Sequence, residues 1–277
     1  MSCSTAAYRR QNTHSWLGIA AHWSEPMPPV PNIKTIGLFG FGQFGRLIAK
    51  HLSPHFQMTV HDPHPIASET KAYHFDTEAK TANSDLVILA VPVSSIASTC
   101  QSIRSHLKPG CIVMDVGSVK MTTAKAMQDH LPADVDLIGT HPLFGPQSAT
   151  GSLAGRKIAL CNIRGQADRS IGAFLRRVLH LQVYNLSPED HDREAAVTQG
   201  LTHLIAKVLT QMGPLPTRMT TVSFDLLLQA TSMVRHDPPN VFSAIEEENP
   251  FAADVRNEFL ALVADLGANL RVTSPEQ

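Results

Sequence analysis

In two short segments of the sequence, side chains that could take part in proton transfer follow directly after an apolar run. His141 lies in "GTHPLFGP" (139–146), and Ser118 and Lys120 lie in "DVGSVK" (115–120). A neutral imidazole can accept a proton from a hydroxyl group near neutral pH. The prolines and glycines around His141 restrict its backbone, which suits a preorganised general base. A turn histidine held for purely structural reasons is the alternative interpretation.

A glycine motif earlier in the chain indicates a phosphate-binding turn. "GFGQFG" has the spacing GxGxxG, follows the apolar run "KTIGLFG" and opens the helical pattern "QFGRLIAKHL". In such a motif Gly40 makes the tight turn, Gly42 lets pyrophosphate approach the backbone, and Gly45 allows close helix packing. A glycine turn without a ligand is the alternative. The predicted cofactor-binding residues are Gly40, Phe41, Gly42, Gln43, Phe44, Gly45, Asp62, Val91, Pro92 and Ser118.

The residue at the end of the second predicted strand favours NAD over NADP. Asp62 lies 22 residues after Gly40, where a carboxylate accepts hydrogen bonds from the ribose hydroxyls and repels a 2′-phosphate. His61 and His64 flank it and could offset its charge, so NADP stays possible. We expect the "AVPVSS" loop (90–95) near the nicotinamide ribose; a plain strand-to-helix turn is equally compatible with it.

A polar stripe runs along the helical segment "SPEDHDREAAVTQGLTHLIAKVL". Asp192, Ala196, Gln199 and His203 recur at helical spacing, a mixture that is typical of neither a core nor a solvent face. The stripe could line a polar cleft against the nucleotide-binding domain, or it could form hydrogen-bonded packing between domains. A metal site is not expected, because His191 and His203 are twelve residues apart without a third ligand nearby.

Alternation of short apolar runs with helical patterns predicts an α/β fold. It is a Rossmann-type, doubly wound parallel sheet over residues 33–186, followed by a smaller all-helical domain over 187–277. We expect breaks in that domain at "GPLP" (213–216) and "DPP" (237–239). Residues 1–32 end in a proline cluster and are predicted to form a disordered extension.

Composition narrows the function classes. A formal net charge of −1 gives no reason to expect binding to nucleic acid or to an anionic membrane. No apolar run reaches the roughly 18 residues that would span a bilayer. The four cysteines are far apart and form no CxxC pair, which favours a reduced, cytoplasmic protein.

Taken together, "GFGQFG", "DVGSVK", "THPLFGP" and "DHDREAAVTQGLTH" resemble the prephenate/arogenate dehydrogenase family of tyrosine biosynthesis. The resemblance covers roughly residues 34–270 and is closer to the plant-type branch. It implies oxidative decarboxylation of a cyclohexadienol with hydride transfer to NAD or NADP. Neutral Gln147 after "HPLFGP" favours prephenate, giving 4-hydroxyphenylpyruvate, over arogenate, giving tyrosine, because an acidic residue there could pair with arogenate's ammonium.

The resemblance also implies roles for individual residues. His141 takes the proton of the substrate hydroxyl, and Ser118 holds that hydroxyl against the nicotinamide. The implied substrate-binding residues are His203, Gln199, Lys120, Gln147 and Arg235. Many bacterial members carry a carboxylate-binding arginine where this chain has Ser232, and Arg235, Arg218 or a partner subunit would have to replace it.

Two other functions remain open at the level of sequence. A hydroxyacid or imine reductase would use a lysine on the first long helix of the second domain, and Lys207 is the available residue there. A non-catalytic nicotinamide-nucleotide sensor would bind the cofactor without turnover, and the missing arginine is its best support. A homodimer through the helical domain is expected from the family and fits the apolar "FLALVADLGANL" (259–270).

Overall fold

Seven strands form one sheet in the computed structural model, which describes residues 33–65, 72–149, 151–235 and 237–272. The prediction for residues 1–32 lies outside this part of the chain. The strands coincide with the apolar runs: β1 Thr35–Phe39, β2 Gln57–His61, β3 Leu86–Leu89, β4 Ile112–Asp115, β5 Asp136–Pro142, β6 Lys157–Arg164 and β7 Gln182–Asn185.

The strand order is β2-β1-β3-β4-β5-β6-β7. Every pairing is parallel except that of β5 with β6, which is antiparallel. The loop between those two strands (143–156) contains Pro146 and Gly155, and its described residues form no helix. A parallel return needs a crossover, usually a helix, whereas an antiparallel one does not. The predicted doubly wound, mostly parallel sheet is confirmed, and the antiparallel pairing of β5 with β6 is a detail that the sequence does not predict.

Helices cover both faces of the sheet. They are α1 Gln43–Leu52, α2 Glu78–Ala82, α3 Ile96–Ile103, α4 Met121–His130 and α5 Asp168–Arg177. Alternate residues of each strand enter opposite cores: Ile88 packs with Leu47 of α1 on one face, and Val87 packs with Ile103 of α3 on the other. This alternation buries β3 on both sides, which explains why its sequence is apolar throughout.

After β7, all regular elements in the described part of the chain are helical. They are α6 Pro188–Ala195, α7 Leu201–Gln211, α8 Val222–Val234, α9 Pro239–Ser243 and α10 Ala252–Val272, with π-helical turns at Ala196–Gly200 and Ala244–Glu248. The chain leaves helical structure around 213–216 and at Pro238, as the two proline segments predict. The division into two domains at residue 187 stays a prediction. None of the described helices has the length and apolar composition needed to cross a membrane.

Candidate active site

The glycine turn between β1 and α1 has the geometry that the motif requires. Gly40 has φ +90°, a conformation that other residues rarely adopt. A Cβ on Gly45 would lie 2.2 Å from the Gly40 carbonyl oxygen, so helix and turn can pack only because Gly45 has no side chain. Gly42 differs, since a Cβ there would meet nothing within 4 Å. Open space therefore lies in front of Gly42, at a helix N-terminus that no side chain caps.

Asp62 lies directly after β2 and faces the same turn. Its carboxylate accepts hydrogen bonds from the backbone N–H of Phe41 at 2.6 Å and of His64 at 2.8 Å. The Phe41 ring is buried and packs edge-on against Tyr73 and Phe75, each at 5.1 Å between ring centroids. The side chain of Phe41 is thus part of the core, and its backbone alone faces the turn.

The loop after β3 borders the glycine turn. Because β1 lies between β2 and β3, the turns after β1 and β3 leave the sheet in opposite directions and open a crevice. Val91 adjoins the glycine turn, since a Cβ on Gly40 would lie 3.1 Å from its backbone nitrogen, and Pro92 follows it. A single 3₁₀ turn, Val93–Ser95, precedes α3, whose N-cap is Ser95 without a side-chain hydrogen bond.

His141 lies at the carboxyl end of β5, at the same edge of the sheet. Phe144, three residues later, packs against Phe44 of the glycine motif with 6.3 Å between the ring centroids. The "HPLFGP" loop and the phosphate-binding turn are thus neighbours. Ser118 follows β4 and is half-buried, and among the described residues no hydrogen bond of its hydroxyl is found.

A chain of hydrogen bonds connects His141 to the first helix of the helical region. Nδ1 of His141 lies 2.9 Å from Nε2 of His191, and Nδ1 of His191 lies 2.7 Å from Oδ1 of Asp192. On the other side of the ring, Nε2 of His141 faces the Gln199 amide nitrogen at 3.5 Å. Two members of the predicted stripe, Asp192 and Gln199, therefore point toward the sheet.

Burial lowers the pKa of His141 well below its ordinary value, and the neighbouring His191 and Lys120 lower it further. The imidazole is accordingly neutral at physiological pH. A neutral ring with one free nitrogen is the form that can accept a proton.

Lys120 lies beneath the site. Its side chain is fully buried, and the ammonium donates to Asp115 Oδ2 at 2.5 Å and to the Thr140 carbonyl oxygen at 2.7 Å. Burial raises the pKa of Asp115, and the Lys120 ammonium opposes that shift. This geometry does not support direct contact between Lys120 and a substrate. The effect of Lys120 on the site is electrostatic: its buried charge lowers the pKa of His141.

The remaining predicted substrate residues are spread over the helical region and one loop. His203 on α7 is buried and lies 3.8 Å from Asp237. Arg235 is exposed and lines a groove of about 500 Å³ between α7 and α8, together with Ser232. Gln147 is exposed in the turn after His141. The structure thus brings His141, Gln199 and Lys120 together, and it does not join Arg235 or Gln147 to them by a described contact.

His191 is the participant that sequence reasoning missed. It directly precedes Asp192 in "DHD", and the sequence offers it only as a candidate metal ligand. It is nearly fully buried, and a buried imidazole needs hydrogen-bond partners on both nitrogens. The pairing with His141 spans 50 residues, so no local pattern announces it.

Comparisons with known proteins agree with this geometry. Residues 65–183 match the family model "Prephenate dehydrogenase, nucleotide-binding domain". The matched range includes Ser118, Lys120 and His141, whereas the glycine turn and the helical region lie outside it.

Two curated relatives match stretches of this chain that are longer than the one matched by the family model. Arogenate dehydrogenase 2, chloroplastic, of Arabidopsis thaliana is 28% identical over 232 residues, which is 79% of this chain and 65% of that protein. Prephenate dehydrogenase (NADP+) of Saccharomyces cerevisiae is 29% identical over 182 residues, 61% of this chain and 39% of that protein. The chain therefore spans less than two thirds of the length of either relative.

Solved structures share the fold. A prephenate dehydrogenase from A. aeolicus, in complex with hydroxyphenyl propionate and NAD+, superposes with a TM-score of 0.67 at 20% identity and covers 86% of this chain and 91% of its own. Synechocystis arogenate dehydrogenase gives 0.59 at 21% identity, with 86% and 93% covered. These structures show that the chain has the fold of prephenate and arogenate dehydrogenases, and residues 65–183 match the nucleotide-binding domain of prephenate dehydrogenases.

Proposed function

We propose that the chain oxidises prephenate, with loss of its ring carboxylate as CO₂, to 4-hydroxyphenylpyruvate. His141 carries the proposal: it is a buried, neutral imidazole at the sheet edge beside the phosphate-binding turn. NAD would supply the acceptor for the hydride of the hydroxyl-bearing carbon. Nε2 of His141 takes the hydroxyl proton as that hydride leaves and returns it to the ring oxygen when CO₂ is lost, and formation of the aromatic ring drives the reaction.

The residues of the first crevice fit a dinucleotide. The open space at Gly42 and the uncapped N-terminus of α1 would receive the pyrophosphate. Asp62 would receive the ribose hydroxyls, exchanging its present bond to the Phe41 amide. The carboxylate disfavours a 2′-phosphate, so NAD is the proposed cofactor. Ser118 follows β4 beside this crevice and would hold the substrate hydroxyl.

Gln199 and His203 would face the substrate from the helical side. Gln199 already reaches His141, and His203 is one helical turn further along the same face. Burial lowers the pKa of His203, and Lys207 lowers it further. A neutral His203 can donate or accept a hydrogen bond without adding charge to the site.

Arogenate is the second candidate substrate, because the Arabidopsis relative that matches 79% of the chain is an arogenate dehydrogenase. Prephenate is preferred here since Gln147, after "HPLFGP", offers no carboxylate to an ammonium group.

The experiment is the appearance of reduced nicotinamide with purified protein, offered prephenate or arogenate with NAD or NADP. We expect the fastest turnover with prephenate and NAD. A faster reaction with arogenate would reassign the substrate, and a faster one with NADP would reassign the cofactor. Silence in all four mixtures, with the cofactor bound in a direct binding assay, would contradict dehydrogenase activity and favour a nucleotide sensor.

We also propose a homodimer through the helical region. One face of α10 exposes four aliphatic side chains, each at least half accessible to solvent: Leu262, Val263, Leu266 and Leu270. Such a stripe is costly to leave in water. Light scattering after gel filtration should give twice the chain mass, and the double substitution Leu262→Glu with Leu266→Glu should give monomers. Ala264→Glu with Ala268→Glu, on the opposite face, is the charge-matched control. A monomeric wild type would contradict the proposal.

A further inference from the structure

We propose that His191 and Asp192 form a hydrogen-bonded relay that fixes the tautomer of His141 and leaves its Nε2 as the proton acceptor. The inference deepens the proposed function, since it assigns two positioning residues to the same proton transfer. Neither residue touches the crevice where cofactor and substrate are expected, so both would act through His141.

The three side chains are in line and shielded from water. The exposed fractions of His141, His191 and Asp192 are 7%, 3% and 0%. Donor–acceptor distances of 2.9 and 2.7 Å are those of well-formed hydrogen bonds. The rings of the two histidines are inclined by 62° with centroids 5.1 Å apart, so they meet through nitrogen atoms and not through stacked faces.

Asp192 is built to remain an acceptor. Oδ1 accepts from the backbone N–H of Lys120 at 2.7 Å, and Oδ2 accepts from that of Met121 at 2.8 Å. These are the first amides of α4, whose N-terminus has no side-chain cap of its own. Both carboxylate oxygens thus already accept hydrogen bonds from backbone N–H groups, and Oδ1 also faces Nδ1 of His191. Asn249 donates to the Asp192 carbonyl oxygen at 2.8 Å and holds the residue in place.

The proton positions follow from this carboxylate. Because Asp192 accepts, Nδ1 of His191 carries the hydrogen and its Nε2 keeps a lone pair. That lone pair accepts from His141, so the hydrogen of His141 is on Nδ1 and its Nε2 is unprotonated. The opposite side agrees: the Gln199 amide nitrogen, which can only donate, faces Nε2 of His141.

The relay also disperses the charge created by proton uptake. When Nε2 of His141 takes the hydroxyl proton, the ring becomes an imidazolium. Its Nδ1 proton can then pass to Nε2 of His191, which becomes the imidazolium beside the Asp192 carboxylate, while His141 is neutral again. No proton enters from solvent, and the positive charge then lies beside the Asp192 carboxylate, 2.7 Å from Nδ1 of His191.

Kinetics of His191 variants provide the first test. His191→Met removes the acceptor for His141 and should lower kcat about 10- to 100-fold, as for other outer-sphere partners of a functional histidine, with KM and the cofactor Kd little changed. His191→Gln places an amide oxygen where Nε2 was and should restore part of kcat. His130→Gln, at the far end of α4, removes a histidine with one side-chain partner and is the matched control. An unchanged kcat in His191→Met would overturn the relay.

The tautomers themselves provide the second test, which needs no turnover. Nitrogen NMR of ¹⁵N-histidine-labelled wild-type protein, assigned with the His141→Asn and His191→Gln variants, should show both rings protonated at Nδ1 only near neutral pH. A His141 ring protonated at Nε2 would overturn the relay even in an active enzyme. Conversely, the predicted tautomers in a protein that turns over no cyclohexadienol would retain the relay and reject the proposed function. If His191→Met does not fold, His191→Gln and this spectrum decide.

Discussion

The three glycines of the nucleotide turn show how differently single residues of one motif act. Position 40 requires glycine because its φ is positive. Position 45 requires glycine because the carbonyl oxygen of Gly40 lies against it, and neither reason applies to Gly42. An empty neighbourhood and an ordinary φ of −65° mean that the folded chain alone places no demand on Gly42. We therefore predict that Gly42 is needed for ligand binding and not for folding.

Alanine substitutions separate these roles. Gly42→Ala should leave the free energy of unfolding unchanged within about 1 kcal/mol and weaken NAD binding at least tenfold, because the methyl group enters the space in front of α1. Gly45→Ala should lower the melting temperature, since its Cβ would overlap a carbonyl oxygen. Calorimetry of binding and of unfolding measures both. If Gly42→Ala bound NAD with the affinity of wild type, the proposal that the pyrophosphate binds at this turn would be contradicted.

Single residues were predictable from sequence where a local motif fixes their geometry, as at Gly40, Gly45 and the Ser187 cap, which accepts from the Asp190 amide. They were not predictable where partners come from distant segments. The resemblance implies that Lys120 binds substrate, but its side chain is buried against Asp115, and no sequence pattern predicts the contact between His191 and His141. Both outcomes depend on how α6 packs on the sheet edge.

At the scale of elements, Asp192 has two tasks that involve different helices. It belongs to α6, yet it caps α4 across the junction between the sheet and the helical region. Members of the polar stripe predicted on α6 and α7 therefore have different roles. Asp192 forms hydrogen bonds that hold α6 against α4, whereas Gln199 faces His141. Gln199 lies in a π-helical turn, a feature that often occurs at functional sites.

Removal of this cap should cost more stability than removal of an ordinary one. Asp192→Ala leaves two amides and the His191 ring without their acceptor, and we expect a loss of about 2 kcal/mol or more in the free energy of unfolding. Ser187→Ala removes the exposed cap of α6 and should cost about 1 kcal/mol. Urea denaturation compares the two variants. Equal losses would contradict the bridging role of Asp192.

The elements themselves were largely predictable. All seven strands and α1 follow from apolar runs and the glycine motif, and the prolines mark the breaks after α7 and α8. The direction of β6 was not predictable, because it depends on the path of the preceding loop. The two π-helical turns were not predictable either, because they depend on packing between Gly200 and Glu246, whose carboxylate would lie 3.4 Å from a Cβ on Gly200.

At the scale of the whole molecule, histidines that are buried in the neutral form make stability depend on pH. Burial lowers the pKa values of His51, His141 and His203. Below the usual histidine pKa near 6.5, the unfolded chain takes up protons that the folded chain refuses. The contribution of these groups is therefore present above about pH 6.5 and is lost as pH falls toward their folded pKa values.

This dependence can be assigned to His141 by subtraction. Between pH 7 and 5.5 the free energy of unfolding of wild type should fall more steeply than that of His141→Asn, by about 1 kcal/mol per pH unit below 6.5. The comparison cancels Asp115, Asp237 and Glu248, whose raised pKa values act in the opposite direction. Parallel curves would mean that folding does not lower the pKa of His141.

The measurement that tests the central claim most directly is turnover by His141→Asn beside wild type, in the most active mixture of substrate and cofactor. We predict that kcat falls about 10²-fold or more, as on removal of a general base, while the cofactor Kd stays within twofold of wild type. His106→Asn, an exposed histidine in the loop after α3, should behave like wild type. Near-normal turnover in His141→Asn would contradict proton transfer to this residue.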